Sequence, residues 1–305
     1  MNKKHDIAIL FAIALTLFLL EITIRIIEND ISGNRNHIND IPNIVDQISK
    51  DQRPSVLFLG NSLINEAVDV GQLSASLNDT YRLNKITPDG TSIWDWSMIA
   101  KNQLFDSNVK LDYLVIGFAW GLLNDETQPN PSRLGGYFAK LSDLSLLIKY
   151  GMDEFAQVSE FFIGMTSKLF VNREAVRNKL LDSLVPHYKQ FVRAQNQAGA
   201  PDDTTQVKQL RAPPEDYKML NKLIDQLDRE GGKLIAIAMP IEAGYEISEE
   251  LSKLLEKRAY LYMDYRSLFE AETEMYKDGL HLNDKGRHLF TSKLAKIFNP
   301  EMSGK

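Results

Sequence analysis

Residues 55–60 read Ser-Val-Leu-Phe-Leu-Gly, a continuous apolar run too short for a helix and closed by glycine. Without polar alternation, such a run predicts a strand buried on both faces, as in a parallel sheet. Comparable runs occur at 111–117, 233–240 and 259–265, with a weaker one at 81–87. Helical periodicity fills the gaps, over about 66–78, 92–105, 215–230, 246–258 and 284–297. Strands alternating with helices predict an α/β domain whose parallel sheet is covered on both sides. The alternation lapses over about 133–198, where only helical patterns occur, as at 141–150 and 174–184. This stretch reads as a helical insertion over the sheet edge, and 195–214 as a loop rich in polar residues and proline.

The other constraint lies at the start of the chain. Residues 7–20 are apolar and uncharged, and the apolar character resumes on either side of Glu21 and Arg25 as far as Ile27. Helix over residues 7–27 spans about 31 Å, enough to cross a bilayer core. Glu21 and Arg25 stand four apart, so they can pair on one helix face. Lys3 and Lys4 precede the segment, which places the N-terminus in the cytoplasm and the rest outside. No small-residue processing site follows, so an uncleaved signal-anchor is expected. The expected organisation is therefore cytoplasmic tail and anchor over 1–28, a stalk over 29–53, and a domain over 54–305.

Composition removes several chemistries. The 305 residues include no cysteine, which excludes disulfides, thiolate metal sites and a cysteine nucleophile. A net charge of −6 gives no general attraction to nucleic acid, and no nucleic-acid partner is expected. Between positions 168 and 193 the balance is locally basic (Lys168, Arg173, Arg177, Lys179, Lys189 and Arg193 against Glu174 and Asp182). That surplus fits a solvated helix face, or a surface for an anionic polymer or lipid head groups. Neither a Rossmann glycine pattern nor a P-loop is present, and no histidine–carboxylate cluster has metal-ligand spacing, so no cofactor or metal is expected. The G-x-S-x-G elbow is also absent, because residues 60–64 read GNSLI.

Parallel sheets bind ligands beyond the C-terminal ends of their strands. The first strand ends in Gly60-Asn61-Ser62-Leu63, which puts a serine there. A hydroxyl needs an adjacent base to become a nucleophile at neutral pH. Far along the chain, Asp278-Gly279-Leu280-His281 offers an imidazole and a carboxylate three residues apart around a glycine turn, and Asn283 or Asp284 then caps the last helix. The remaining histidines lack such company: His5 and His37 fall outside the domain, His187 in the insertion and His288 on the last helix.

Together these two segments resemble the SGNH/GDSL family of serine hydrolases and acyltransferases, over residues 54 to about 298. The resemblance implies a three-layer α/β/α, flavodoxin-like fold, with Ser62 as nucleophile, His281 as general base and Asp278 as its orienting partner. It implies an oxyanion hole drawn from the Ser62 amide, a glycine amide, for which Gly90 is the candidate, and an asparagine side chain. The third block departs from the pattern: Ala119 stands where the asparagine is usual, and Asn124 comes later. Asn61 in place of the usual aspartate, together with the anchor, resembles the membrane-bound branch that O-acetylates surface polysaccharides or takes part in D-alanylating teichoic acid. That branch implies O-acyl transfer, acetyl in the first place, to a cell-envelope or exopolysaccharide acceptor, in some cases beside a multi-spanning membrane acyltransferase. Removal of such esters, or a scaffolding role without strong catalysis, remains open beside it.

Overall fold

The computed structural model describes residues 3–107, 109–188, 216–270 and 272–298. Helix α1 (Lys3–Ile31) is followed by α2 (Gly33–Lys50), and then β1 (Ser55–Leu59) enters the domain. Next come α3 (Ser62–Ala67), α4 (Val70–Ser76), β2 (Arg82–Ile86), α5 (Ile93–Ile99) and β3 (Tyr113–Phe118). The insertion supplies a single turn α6 (Pro131–Arg133), then α7 (Leu144–Lys149), α8 (Phe155–Thr166), α9 (Lys168–Val171) and α10 (Arg173–Leu184). The chain closes with α11 (Lys218–Arg229), β4 (Lys233–Ala238), α12 (Glu249–Arg258), β5 (Leu261–Asp264) and α13 (Asp284–Phe298).

The five strands among the described residues run parallel, in the order β2-β1-β3-β4-β5. This is the doubly wound flavodoxin-like order, whose switch point lies between β1 and β3. Alternate side chains of each central strand enter opposite cores. Leu57, Leu59, Leu114, Ile116 and Leu234 face the layer that holds α2, α5, α11 and α12. Val56, Phe58, Val115, Ile235 and Ile237 face α3, α4 and α13. Burial on both faces explains why these strands read as unbroken apolar runs.

The stalk expected over 29–53 is instead part of the domain. Ile38, Ile41, Val45 and Ile48 of α2 lie at helical spacing and are buried in the sheet's core. Pro42, Gly33 and the many Asn and Asp residues give the segment a linker-like composition, but burial of that apolar stripe overrides it. The helix expected over 66–78 also differs: it is two helices, because Asp69 caps α4 by accepting from the Gln72 amide at 2.9 Å. Lys85 fastens the break, donating to the carbonyls of Asn65 and Val68 at 3.1 and 2.9 Å.

Gly117 of β3 lets α3 lie close on the sheet. A Cβ there would come 2.2 Å from the Ile64 side chain and 2.9 Å from the Met239 sulfur. Both neighbours are fully packed, so Gly117→Ala is expected to destabilise the fold by about 1–3 kcal/mol in urea denaturation. Because α3 begins at Ser62, the displaced helix should also carry the serine out of place.

Candidate active site

The site forms at the switch point, where β1 ends. Asn61 leaves the strand in an extended conformation and caps α3, its Oδ1 accepting from the Leu63 amide at 3.0 Å. Its Nδ2 donates to the Thr91 carbonyl at 3.1 Å. Ser62 is the first residue of α3, so its amide has no acceptor within the helix. The Gly60 carbonyl accepts from Trp96 Nε1 at 3.1 Å and stands 2.9 Å from the Thr91 hydroxyl. This buried network ties the 87–91 loop, and with it Gly90, to the serine turn. Gly90 holds a φ of +65°, a conformation that glycine adopts without strain.

Asn61 plays both parts because a carboxamide carries a donor and an acceptor. Asn61→Asp keeps the helix cap but sets a carboxylate oxygen against the Thr91 carbonyl in a buried position. The variant is expected to lose roughly 1–3 kcal/mol of stability at neutral pH. Thermal unfolding at two pH values checks this: the loss should shrink in acid, where the new carboxyl is protonated and can donate.

The opposite wall comes from the loop before α13. Tyr276 and Leu282 form an antiparallel bridge, and the Lys277 amide donates to the His281 carbonyl at 2.9 Å. Gly279 turns between them with φ +77°. Asn283 caps α13 by accepting from the amides of Lys285 and Gly286 at 3.0 and 3.1 Å. Helix α13 is clamped to α3 through Glu66, whose carbonyl and carboxylate each accept from Arg287 at 2.8 Å. Lys277 adds an ion pair to Glu66 at 3.1 Å. Burial raises the Glu66 pKa, but Lys277 and Arg287 outweigh it and hold the carboxyl below its ordinary range.

The result is a chain of three side chains. Ser62 Oγ lies 2.8 Å from His281 Nε2, although 219 residues separate them. His281 Nδ1 lies 2.9 and 3.0 Å from the two oxygens of Asp278. One Asp278 oxygen also accepts from the amides of His281 and Leu280 at 2.9 and 3.2 Å. Burial raises the Asp278 pKa, but these amides and the imidazole outweigh it and keep it below the usual carboxylate value. An ionised Asp278 requires the proton on Nδ1, which leaves Nε2 free to accept from the Ser62 hydroxyl.

Asn124 lies in the loop that follows β3. Among the described residues no hydrogen bond links it to Ser62, Gly90 or His281. Its side-chain oxygen accepts from the Glu126 amide at 2.9 Å, a local turn. Neighbouring Asp125 is buried and caps α11, accepting from the amides of Lys218 and Met219. The stretch after β3 therefore fastens α11. Trp120 leaves the same strand end with φ +46° and packs on Tyr245, ring centroids 5.9 Å apart.

Sequence reasoning missed the part played by α2. His37 was expected outside the domain, yet its Nε2 accepts from the Thr87 amide at 2.9 Å, and Asn34 Oδ1 accepts from the Asp89 amide at 2.9 Å. Both bonds support the loop that carries Gly90. Burial lowers the His37 pKa from 6.5, partly offset by Asp40 and Asp89. The unfolded chain therefore binds this proton first, so stability should fall as pH drops below about 6.5 towards the folded value. His37→Gln, which keeps an acceptor but does not titrate, should flatten that slope in urea midpoints measured from pH 5 to 8.

No family model matches the chain, and no curated protein does. Among solved structures, an acetyl xylan esterase, AlAXEase, aligns at 14% identity over 80% of this chain and 100% of its own, with a TM-score of 0.39. A proposed acylhydrolase of Bacteroides fragilis aligns at 10% identity over 85% and 95%, with a TM-score of 0.40. A mutant of Axe2, an acetyl-xylooligosaccharide esterase from Geobacillus, aligns at 12% identity over 83% and 95%, with a TM-score of 0.39. These likenesses are loose, and the chemistry rests on the geometry of Ser62, His281 and Asp278.

Proposed function

We propose that this chain is an SGNH-type serine enzyme, anchored by α1 with its domain outside the cytoplasm, that moves O-acyl groups, acetyl in the first place, onto a cell-envelope or exported polysaccharide. The observation that carries the chemistry is the unbroken Ser62–His281–Asp278 hydrogen-bond chain at the switch point of the sheet. Ser62 Oγ attacks the ester carbonyl carbon while its proton passes to His281 Nε2. The carbonyl oxygen takes the negative charge, facing the amides of Ser62 and Gly90. As the tetrahedral intermediate collapses, the bond to the leaving oxygen breaks and that oxygen takes the proton from His281. An acceptor hydroxyl then gives its proton to His281 and attacks the acyl-serine, releasing the acylated sugar and restoring the Ser62 hydroxyl. Asp278 stays ionised throughout and stabilises the imidazolium.

The anchor supports the setting. Residues 5–31 form one helix long and apolar enough to cross a membrane, with 6% of its most apolar window buried against the protein. A multi-spanning partner that delivers the acyl group through the bilayer fits such a position.

Ester hydrolysis is the second reading, and the openness of the site favours it. The side chains of His281 and Asp278 are 21% and 42% exposed, so water can reach an acyl-serine. Full-length protein in nanodiscs, given a chromogenic acetyl ester with and without a soluble oligosaccharide, separates the two. Acetylated sugar that depends on acceptor and on Ser62 supports transfer, and acetate alone supports hydrolysis. Equal rates from wild type and Ser62→Ala would end both.

A further inference from the structure

We infer that the turn joining α8 to α9 is a second membrane contact, which dips into the lipid head-group region beside α1 and holds the active-site domain against the bilayer. The inference rests on α1 being the anchor. Glu21 lies six residues before Ile27, where the apolar character of α1 ends, about 9 Å deeper along the helix. Its carboxylate does not face lipid. It accepts from the Ser167 hydroxyl at 2.9 Å and from the amides of Lys168 and Leu169 at 2.9 and 3.0 Å. Arg25 pairs with Glu21 at 2.7 Å and donates to the Thr166 carbonyl at 2.9 Å. Four successive residues of the insertion, 166–169, are thus fastened to α1 at the depth of Glu21. If α1 crosses the membrane, the turn lies at the boundary of head groups and acyl chains, in the 5–10 Å zone where interfacial helices sit.

The surface of α8 suits that depth. At 100° per residue, Phe161 and Gly164 face the protein, where Gly164 meets the Ser132 backbone so closely that a Cβ would stand 2.3 Å from its carbonyl oxygen. The opposite side, within a turn of Thr166, exposes Phe162 (45%) and Ile163 (41%). A soluble surface gains nothing from such a cluster, whereas a bilayer buries it. Higher on α1, Glu28 accepts from the Asn172 side chain at 3.0 Å, which puts the start of α10 at the membrane edge. The exposed Arg173 and Arg177 follow there, at the level of lipid phosphates. Of the basic residues counted in the sequence, Lys189 and Arg193 lie outside the described residues.

The absence of cysteine makes the test direct. The full chain is reconstituted in phosphatidylcholine–phosphatidylglycerol nanodiscs with an environment-sensitive dye on Phe162→Cys, Leu15→Cys or Tyr260→Cys. Spin-labelled lipids carrying the nitroxide near the head-group end of the acyl chain, and aqueous iodide, serve as quenchers. The expected result is loss of emission at Phe162→Cys with the spin-labelled lipid and little with iodide, while Tyr260→Cys responds to iodide alone. Iodide quenching at Phe162→Cys, with Leu15→Cys shielded by lipid, overturns the contact and leaves the anchor standing. Shielding of Phe162→Cys from both quenchers means that protein covers the face, and also overturns it. Iodide quenching at both Phe162→Cys and Leu15→Cys removes the contact together with the anchor.

Discussion

Ser62→Ala is expected to lower kcat/KM for an acetyl ester by a factor on the order of 10⁴ to 10⁶ while leaving the unfolding midpoint almost unchanged. Among the described residues the hydroxyl makes one side-chain hydrogen bond, to His281, and it sits at a partly open site, so its loss costs the fold little. His281→Ala should fall to a similar rate, because a serine without its base is a poor nucleophile at neutral pH. Residues that act as one unit do not contribute additively, so the double variant should be no slower than either single one. Steady-state rates of the three variants check this, and a double variant slowed by the product of the two factors would mean that the residues act separately.

The second large effect concerns the carboxylate. In Asp278→Asn the side-chain oxygen is expected to keep the amides of Leu280 and His281, which both point at Oδ1. The new NH₂ then faces His281 Nδ1 and requires that nitrogen to accept. The ring proton is driven to Nε2, which can no longer take the Ser62 proton, and a loss of about 10⁴ in kcat is expected. Asp278 also carries a stability signature. Its folded pKa lies below the ordinary 3.8, so the unfolded carboxylate binds the proton first. The stabilisation is complete above that value and is lost as pH falls through the lower folded one. Acid unfolding curves should therefore flatten in Asp278→Asn, and an unchanged rate and slope would remove Asp278 from the site.

The strands were legible because the sheet is buried on both sides. The runs around Leu57, Val115 and Ile235 needed no alternation to be recognised, and their parallel pairing follows from the helices between them. Ser62, His281 and Asp278 were singled out by residue chemistry at a strand end and around a glycine turn, and the structure sets them within hydrogen-bond reach. What holds them there was not legible. Glu66, which ties α13 to α3, looks in sequence like any surface glutamate on a short helix. The segment of α2 carries a weak helical pattern through Ile44, Val45 and Ile48, but Pro42 and its polar residues make it read as a stalk, whereas Ile38, Ile41, Val45 and Ile48 are buried in the core. Its link to the Gly90 loop, through Asn34 and His37, is a contact between segments about 50 residues apart that no local pattern encodes. Next to Asn124, the buried Asp125 caps α11, another contact that no local pattern encodes.

The central claim is that one imidazole activates one hydroxyl, and covalent labelling tests it most directly. A fluorophosphonate is incubated with the full-length protein, and the adduct is located by mass spectrometry of the peptides. A single adduct on Ser62, absent from His281→Ala and strongly slowed in Asp278→Asn, is the predicted result. An unlabelled Ser62 in folded wild-type protein, or labelling that is indifferent to His281, would contradict it.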